Sequence, residues 1–204
     1  MKISIISGSP RSNAQSGKIA RYMTELLSSM DGCTETYLLD LAGNPLPLWD
    51  ESIWAGDEAW QQRLTPISAQ LASSDGLIII APEWHGMVPA ALKNFFFMWG
   101  KGELAHKPAL LVGVSSGEGG AYPIAELRTS SYKNNRICYL PEHLIIRAVE
   151  SVFNENAADN NPKSQEYLQG RLDYCLKLLL SYSEAFKQIR ASETSSLEVY
   201  SNGM

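Results

Sequence analysis

Cysteine is scarce and poorly spaced in this chain of 204 residues: Cys33, Cys138 and Cys175 are odd in number and far apart. They supply neither a disulfide framework nor a metal-binding spacing. Positive charge is also thin. Lys and Arg total 17 against 22 Asp and Glu, the formal net charge is −5, and no basic block is present to engage nucleic acid. The longest apolar run, residues 76–82, is far too short to cross a bilayer. The first residues already read as a strand, with no charged, apolar and cleavable leader. A cytoplasmic, reduced protein is therefore expected, without a membrane or nucleic-acid partner. The motifs G-x-x-x-x-G-K-[ST], G-x-G-x-x-G and H-E-x-x-H are all missing, so no P-loop, dinucleotide fingerprint or zinc-protease helix is encoded. With 45% apolar and only 19% charged residues, the chain can bury a large core and is not disordered.

What is present is concentrated in residues 3–17. A short apolar strand ends in a loop of small hydroxyl, Gly and amide residues with one Arg, and a helix pattern follows at once. Such a loop makes an anion socket: backbone N–H groups at a helix N-terminus point at the ligand, the helix dipole adds partial positive charge, and hydroxyls supply further donors. Being rich in hydroxyls and lacking a P-loop lysine, it suits a terminal monophosphate better than a pyrophosphate.

Further along, short β runs alternate with amphipathic helical windows, the pattern of a parallel sheet with crossover helices. Strands are predicted over residues 2–7, 35–41, 76–81, 107–115 and 143–149. Helices are predicted over 15–30, 57–73, 89–99, 124–134 and 164–190. Residues 154–162 read as a mobile surface loop. Residues 1–190 form one domain, and the Ser- and Thr-rich tail, 191–204, reads as frayed. The fold class is α/β, a five-stranded doubly wound parallel sheet with helices on both faces. The loops of unusual composition, residues 8–17, 82–86 and 115–122, each follow a strand. They converge at one edge if the strand order is 2-1-3-4-5, the flavodoxin-like order.

These residues resemble the NADPH-dependent FMN reductase family of flavodoxin-like flavoproteins. The matching pieces are Gly8-Ser9-Pro10-Arg11 with Gln15-Ser16-Gly17-Lys18, then Leu46-Pro47-Leu48-Trp49-Asp50. Pro82-Glu83-Trp84-His85-Gly86 continued by Val88-Pro89-Ala90-Ala91-Leu92-Lys93-Asn94 follows, and Ser115 with Gly117, Gly119 and Gly120 closes the set. The resemblance spans about residues 1–123 and implies bound FMN, with NADPH or NADH as reductant. Ser9, Arg11, Gln15 and Ser16 would hold the FMN phosphate, helped by Ser12 and Asn13. Pro82, Glu83, Trp84, His85 and Gly86 would lie along the isoalloxazine, mainly through backbone N–H groups. Ser115, Gly117, Gly119 and Gly120 would line the other side. The family usually carries Tyr-Asn where this chain has Trp84-His85, and often an acidic residue where it reads Phe95-Phe96-Phe97.

The implied activity is an FMN-dependent NAD(P)H oxidoreductase, with the alternative of a non-enzymatic flavodoxin-like carrier or FMN-binding protein. No side chain is assigned a catalytic role, since a flavin carries the hydride chemistry and His85 is not required for it. Glu83 reads as structural, capping or pairing locally, and Arg11, Lys18 and Lys93 as cations in or near the site. The acceptor would be a flavin, a quinone or another small electrophile. Residues 95–99, Phe-Phe-Phe-Met-Trp, surround a whole helical turn, so not all five side chains can enter one core. A homodimer or homotetramer is therefore expected.

Overall fold

The most apolar segments become the central strands of a sheet. A computed structural model describes residues 1–203. In chain order the elements are β1 (Lys2–Ser7), α1 (Gln15–Ser28), β2 (Glu35–Asp40), α2 (Glu58–Ala72), β3 (Gly76–Pro82), α3 (Ala90–Met98), β4 (Pro108–Val114), α4 (Ala121–Thr129), β5 (Cys138–Ile146) and α5 (Pro162–Arg190). The strands pair in parallel in the order β2-β1-β3-β4-β5, as the sequence predicts.

β3 and β4 are buried along their whole length, which is why they read as continuous apolar runs rather than alternating ones. Their side chains nevertheless alternate between two cores. Ile3, Ile5, Ile78, Ile80, Leu110 and Val112 pack against Ile19 and Met23 of α1 and Leu172, Leu176 and Leu179 of α5. Ile6, Leu77, Ile79 and Leu111 pack on the other face against Leu64 of α2, Leu92 and Phe95 of α3 and Leu127 of α4. Each such side chain contributes about 1.5–3 kcal/mol of burial. The sheet is thereby fixed between two helical layers, and the loops after β1 and β3 lie on either side of the point where the winding reverses.

Three local features depart from the sequence reading. β5 runs from Cys138 to Ile146 instead of over 143–149, because a register irregularity between Ala109 and Leu111 accommodates Pro141 in an edge strand. The Arg128 guanidinium donates to the carbonyl oxygens of Leu140 and Pro141 at 2.7 and 3.1 Å, satisfying acceptors that the irregular ladder leaves free. α4 covers Ala121–Thr129 instead of 124–134, since Gly120, at φ 100°, turns the chain directly into the helix. Residues 154–162 are held by side-chain amides: Asn154 Nδ2 donates to the carbonyls of Glu150 and Asp159, and Asn160 Nδ2 to that of Asn154. In the tail, the Tyr200 and Ser201 carbonyls accept from Arg136. Of the aromatic block, Phe95, Met98 and Trp99 enter the core while Phe97 stays 68% exposed.

Candidate functional site

The first loop is set in place by close packing. The Gly8 N–H donates to the Ile80 carbonyl at 2.9 Å, and a methyl at Gly8 would lie 2.7 Å from that oxygen, so only glycine permits this contact. The chain then enters α1 without a side-chain cap and without an acid in the first turn. The N–H groups of residues 12–16 have no hydrogen-bond acceptor among the described residues. A helix start left in this way carries open donors and a partial positive charge.

The serine hydroxyls around it are used internally only as acceptors. Ser9 Oγ accepts from the Arg11 N–H (3.3 Å), Ser16 Oγ from the Ser7 hydroxyl (3.5 Å) and Ser115 Oγ from the Gly117 N–H (3.2 Å). Each hydroxyl hydrogen remains free to donate outward. Gln15 Oε1 is buried with no partner, although a buried amide normally finds one. Ser9, Arg11, Gln15 and Ser16 meet Pro82, Glu83, Trp84 and Ser115 around one cleft of about 170 Å³. Ala14, Val114, Ser116 and Val149 complete it, and none of those four was anticipated.

Residues 84–87 form a tight two-residue turn. Trp84 and Met87 exchange both backbone hydrogen bonds, at 3.0 and 2.8 Å, and His85 and Gly86 have φ of 50° and 73°. Two successive positive φ values define a type I′ turn, for which Gly at the second position is well suited. The turn points the N–H groups of His85 and Gly86 away from the chain's own acceptors. Across from it, the loop after β4 is anchored from two sides. Arg147 Nε donates to the Glu118 and Gly119 carbonyls at 2.6 and 3.1 Å, and the Gly117 carbonyl accepts from the Ala148 N–H at 3.0 Å. Glu83 Oε2 accepts from the Gly120 N–H at 2.5 Å, the local structural role its sequence position suggests.

Not every expected residue reaches the cleft wall. Asn13, His85, Gly86, Gly117, Gly119 and Gly120 lie in the three loops but outside the lining. Gly119 and Gly120 answer to the fold: a methyl at Gly119 would meet Glu83 Oε1 at 2.7 Å, and one at Gly120 would meet Ile145 Cγ2 at 2.7 Å. At Gly117, by contrast, a methyl would meet nothing within 4 Å. Two of the three cations read as belonging to the site are engaged elsewhere. Lys18 Nζ donates to the carbonyls of Val149 and Val152 and to Asn154 Oδ1 at 2.7–2.8 Å, and Lys93 pairs with Glu126 at 2.6 Å. Arg11 is exposed at the cleft and has no acid within ion-pair distance among the described residues. Asn94 joins α3 to the Pro-rich segment, accepting from the Trp49 N–H and donating to the Pro47 carbonyl at 2.8 and 2.7 Å.

A larger cavity of about 380 Å³ lies between α2 and α3, walled by Trp60, Leu64 and Met98. It contains no residue of the three loops. In the smaller cleft the donors fit a phosphate: open amides at a helix start, the hydroxyls of Ser9 and Ser16, and one uncommitted guanidinium.

The strand order, with a loop of open donors after β1 and two further loops meeting it from β3 and β4, defines a flavodoxin-like α/β protein. Residues 1–150 match the NADPH-dependent FMN reductase family, and the chain belongs to it. It is similar to an NADPH azoreductase of Bacillus sp. (strain OY1-2), with 23% identity over 93% of this chain and 97% of the relative. It is also similar to an FMN-dependent NADPH-azoreductase of Staphylococcus aureus (strain USA300), with 31% identity over 63% of this chain and 68% of that protein. Among solved structures, the fold matches FerB, a flavoenzyme NAD(P)H:(acceptor) oxidoreductase from Paracoccus denitrificans. The TM-score is 0.68 at 21% identity, over 91% of this chain and 98% of that one. The family membership makes this chain an FMN-dependent NAD(P)H oxidoreductase.

Proposed function

We propose that the three loops hold FMN and that the enzyme reduces small planar organic acceptors at the expense of NAD(P)H. Free flavins, quinones and, given the names of its relatives, aromatic azo compounds are the acceptor classes meant. The observation that carries this reading is the meeting of open donors from the β1 loop with Pro82, Trp84 and Ser115 around a single cleft. Ser9, Arg11, Gln15 and Ser16 bind the phosphate, and Asn13 stands beside them at the loop's outer edge. The N–H groups of His85 and Gly86 face the polar edge of the ring, with Glu83 and Gly86 setting the turn that presents them. Ser115 lines the opposite wall, and Gly117, Gly119 and Gly120 belong to the loop behind it. When bound, FMN supplies two-electron chemistry, accepting hydride from the nicotinamide and returning it to the acceptor. The protein binds, orients and shields; no side-chain acid or nucleophile is needed.

Trp84, at 36% exposure, and Met87, at 50%, border the turn and offer apolar surface to a flat acceptor. Phe97, Trp54 and Leu48, each more than two-thirds exposed at 68, 77 and 77%, support assembly into a homodimer or homotetramer, which sedimentation would reveal. Three free cysteines fit a reduced, cytoplasmic setting, and no helix among the described residues is long and apolar enough to cross a membrane.

The test is the absorbance of the purified protein under anaerobic conditions. A yellow protein bleached by NADPH or NADH supports the enzyme. Bleaching by dithionite alone points to an electron carrier. A colourless protein that FMN does not stabilise thermally removes both readings.

A further inference from the structure

The loops after β3 and β4 each send a carboxylate, directly or through the next helix, to a backbone N–H of the other. Glu83, beyond β3, accepts from the Gly120 N–H at the start of α4 at 2.5 Å. Glu126, on α4, accepts from the Val88 N–H beyond the β3 turn at 2.8 Å. Val88 is 3% exposed, and a buried N–H without an acceptor is costly, so Glu126 supplies a partner that water cannot. The second oxygen of Glu126 is paired with Lys93 Nζ at 2.6 Å, which fixes the carboxylate from the α3 side. Burial works against ionisation of Glu126, but the Lys93 hydrogen bond, the Val88 N–H and the Lys93 charge together hold its pKa below the ordinary glutamate value. Tyr122, on the first turn of α4, completes the contact: a methyl at Gly86 would lie 3.9 Å from its ring.

From this reciprocal geometry we infer that Glu83 and Glu126 form a two-way brace, and that Glu126 is a positioning residue which makes the β3 turn and the Gly-rich loop move as one body. The inference rests on those loops bordering the isoalloxazine, as proposed above. Glu126 touches neither the cleft nor any reacting atom; it acts through Val88 and the turn that precedes it. The phosphate loop takes no part in the brace, so loss of Glu126 weakens ring binding while leaving the phosphate socket intact.

Hydrogen exchange on the flavin-free, full-length chain tests the brace without reference to activity. Glu126→Ala should raise exchange at Val88 by about tenfold, the loss of one charge-assisted hydrogen bond. It should also raise exchange at Gly120, which Glu126 does not touch. Glu126→Gln keeps an acceptor oxygen and should restore most of the protection at both amides. Where the alanine variant does not fold, Glu126→Asp serves, since the shorter side chain cannot span Val88 and Lys93 together. Titration with FMN and with riboflavin then gives the functional consequence. The variant should lose the same factor, about tenfold, for both ligands, because the defect lies at the ring that they share. Gly120 exchange unchanged in the variant, or affinities for both flavins equal to wild type, overturns the inference. A wild-type chain that binds neither flavin overturns the site assignment instead, and the exchange result still stands or falls alone.

Discussion

At the end of the cleft proposed to take the phosphate, the amides of residues 12–16 and the Arg11 guanidinium have no acceptor inside the chain among the described residues. At the end proposed for the ring, almost everything is already tied: Glu83 to Gly120, Glu126 to Val88, Arg147 to Glu118 and Gly119, and Trp84 to Met87. The contrast follows from what each end must recognise. A phosphate is a small, fully charged group that any set of convergent donors can satisfy, so its site can be left open for the ligand to complete. A ring edge needs donors at fixed positions, and two loops hold such positions only if something inside the protein fixes them. On the proposed assignment one end would be finished by its ligand, the other before the ligand arrives.

That difference can be probed from its largest effect downward. Gly120→Ala should destabilise the fold by about 2–3 kcal/mol, since φ 100° is strained for alanine and the new methyl meets Ile145 Cγ2 at 2.7 Å. Urea unfolding would show it as a lower midpoint with an unchanged slope. Arg11→Ala should leave that midpoint in place yet weaken FMN about tenfold or more, as one charge-assisted contact is lost. Riboflavin affinity should not change, and the FMN loss should shrink at high salt. Gly117→Ala is the sharper case. Nothing in the chain lies within 4 Å of the new methyl, so stability should hold within about 0.5 kcal/mol while flavin affinity falls several-fold. An equal affinity would place Gly117 away from the ligand.

The smallest effect concerns pH. The pKa of Glu126 is depressed in the folded protein, so its contribution is complete at neutral pH, above the value of an unfolded glutamate. It is lost as pH falls through the depressed value. Ring binding, read with riboflavin, should therefore weaken on acidification in the wild type more than in Glu126→Gln.

Much of this arrangement was legible in the chain. Ile5, Ile78 and Leu110 announce buried parallel strands because both faces are covered, and the switch point follows from strand order alone. That Ser9, Gln15 and Ser16 would share one cleft was readable because they are neighbours in sequence. The ring end was not, because its organisation is non-local. Glu126 lies 38 residues from the amide it holds, and Arg147 lies 29 from the Glu118 carbonyl. Neither carries a local signal. His85 at positive φ was equally hidden, since His-Gly is not among the dipeptides that mark a type I′ turn. β5 was misplaced by the same logic: Pro141 reads as an interruption, and only its edge position and the Arg128 contacts make it tolerable.

The central claim is that both ends of the cleft serve one ligand. An amide-resolved NMR titration of the full-length chain with FMN tests it most directly. The account predicts that the amides of residues 12–16 and those of His85, Gly86 and Gly117 shift together and saturate at one equivalent of FMN per chain. Shifts confined to Trp60, Leu64 and Met98 around the larger cavity, with the three loops unmoved, would contradict it.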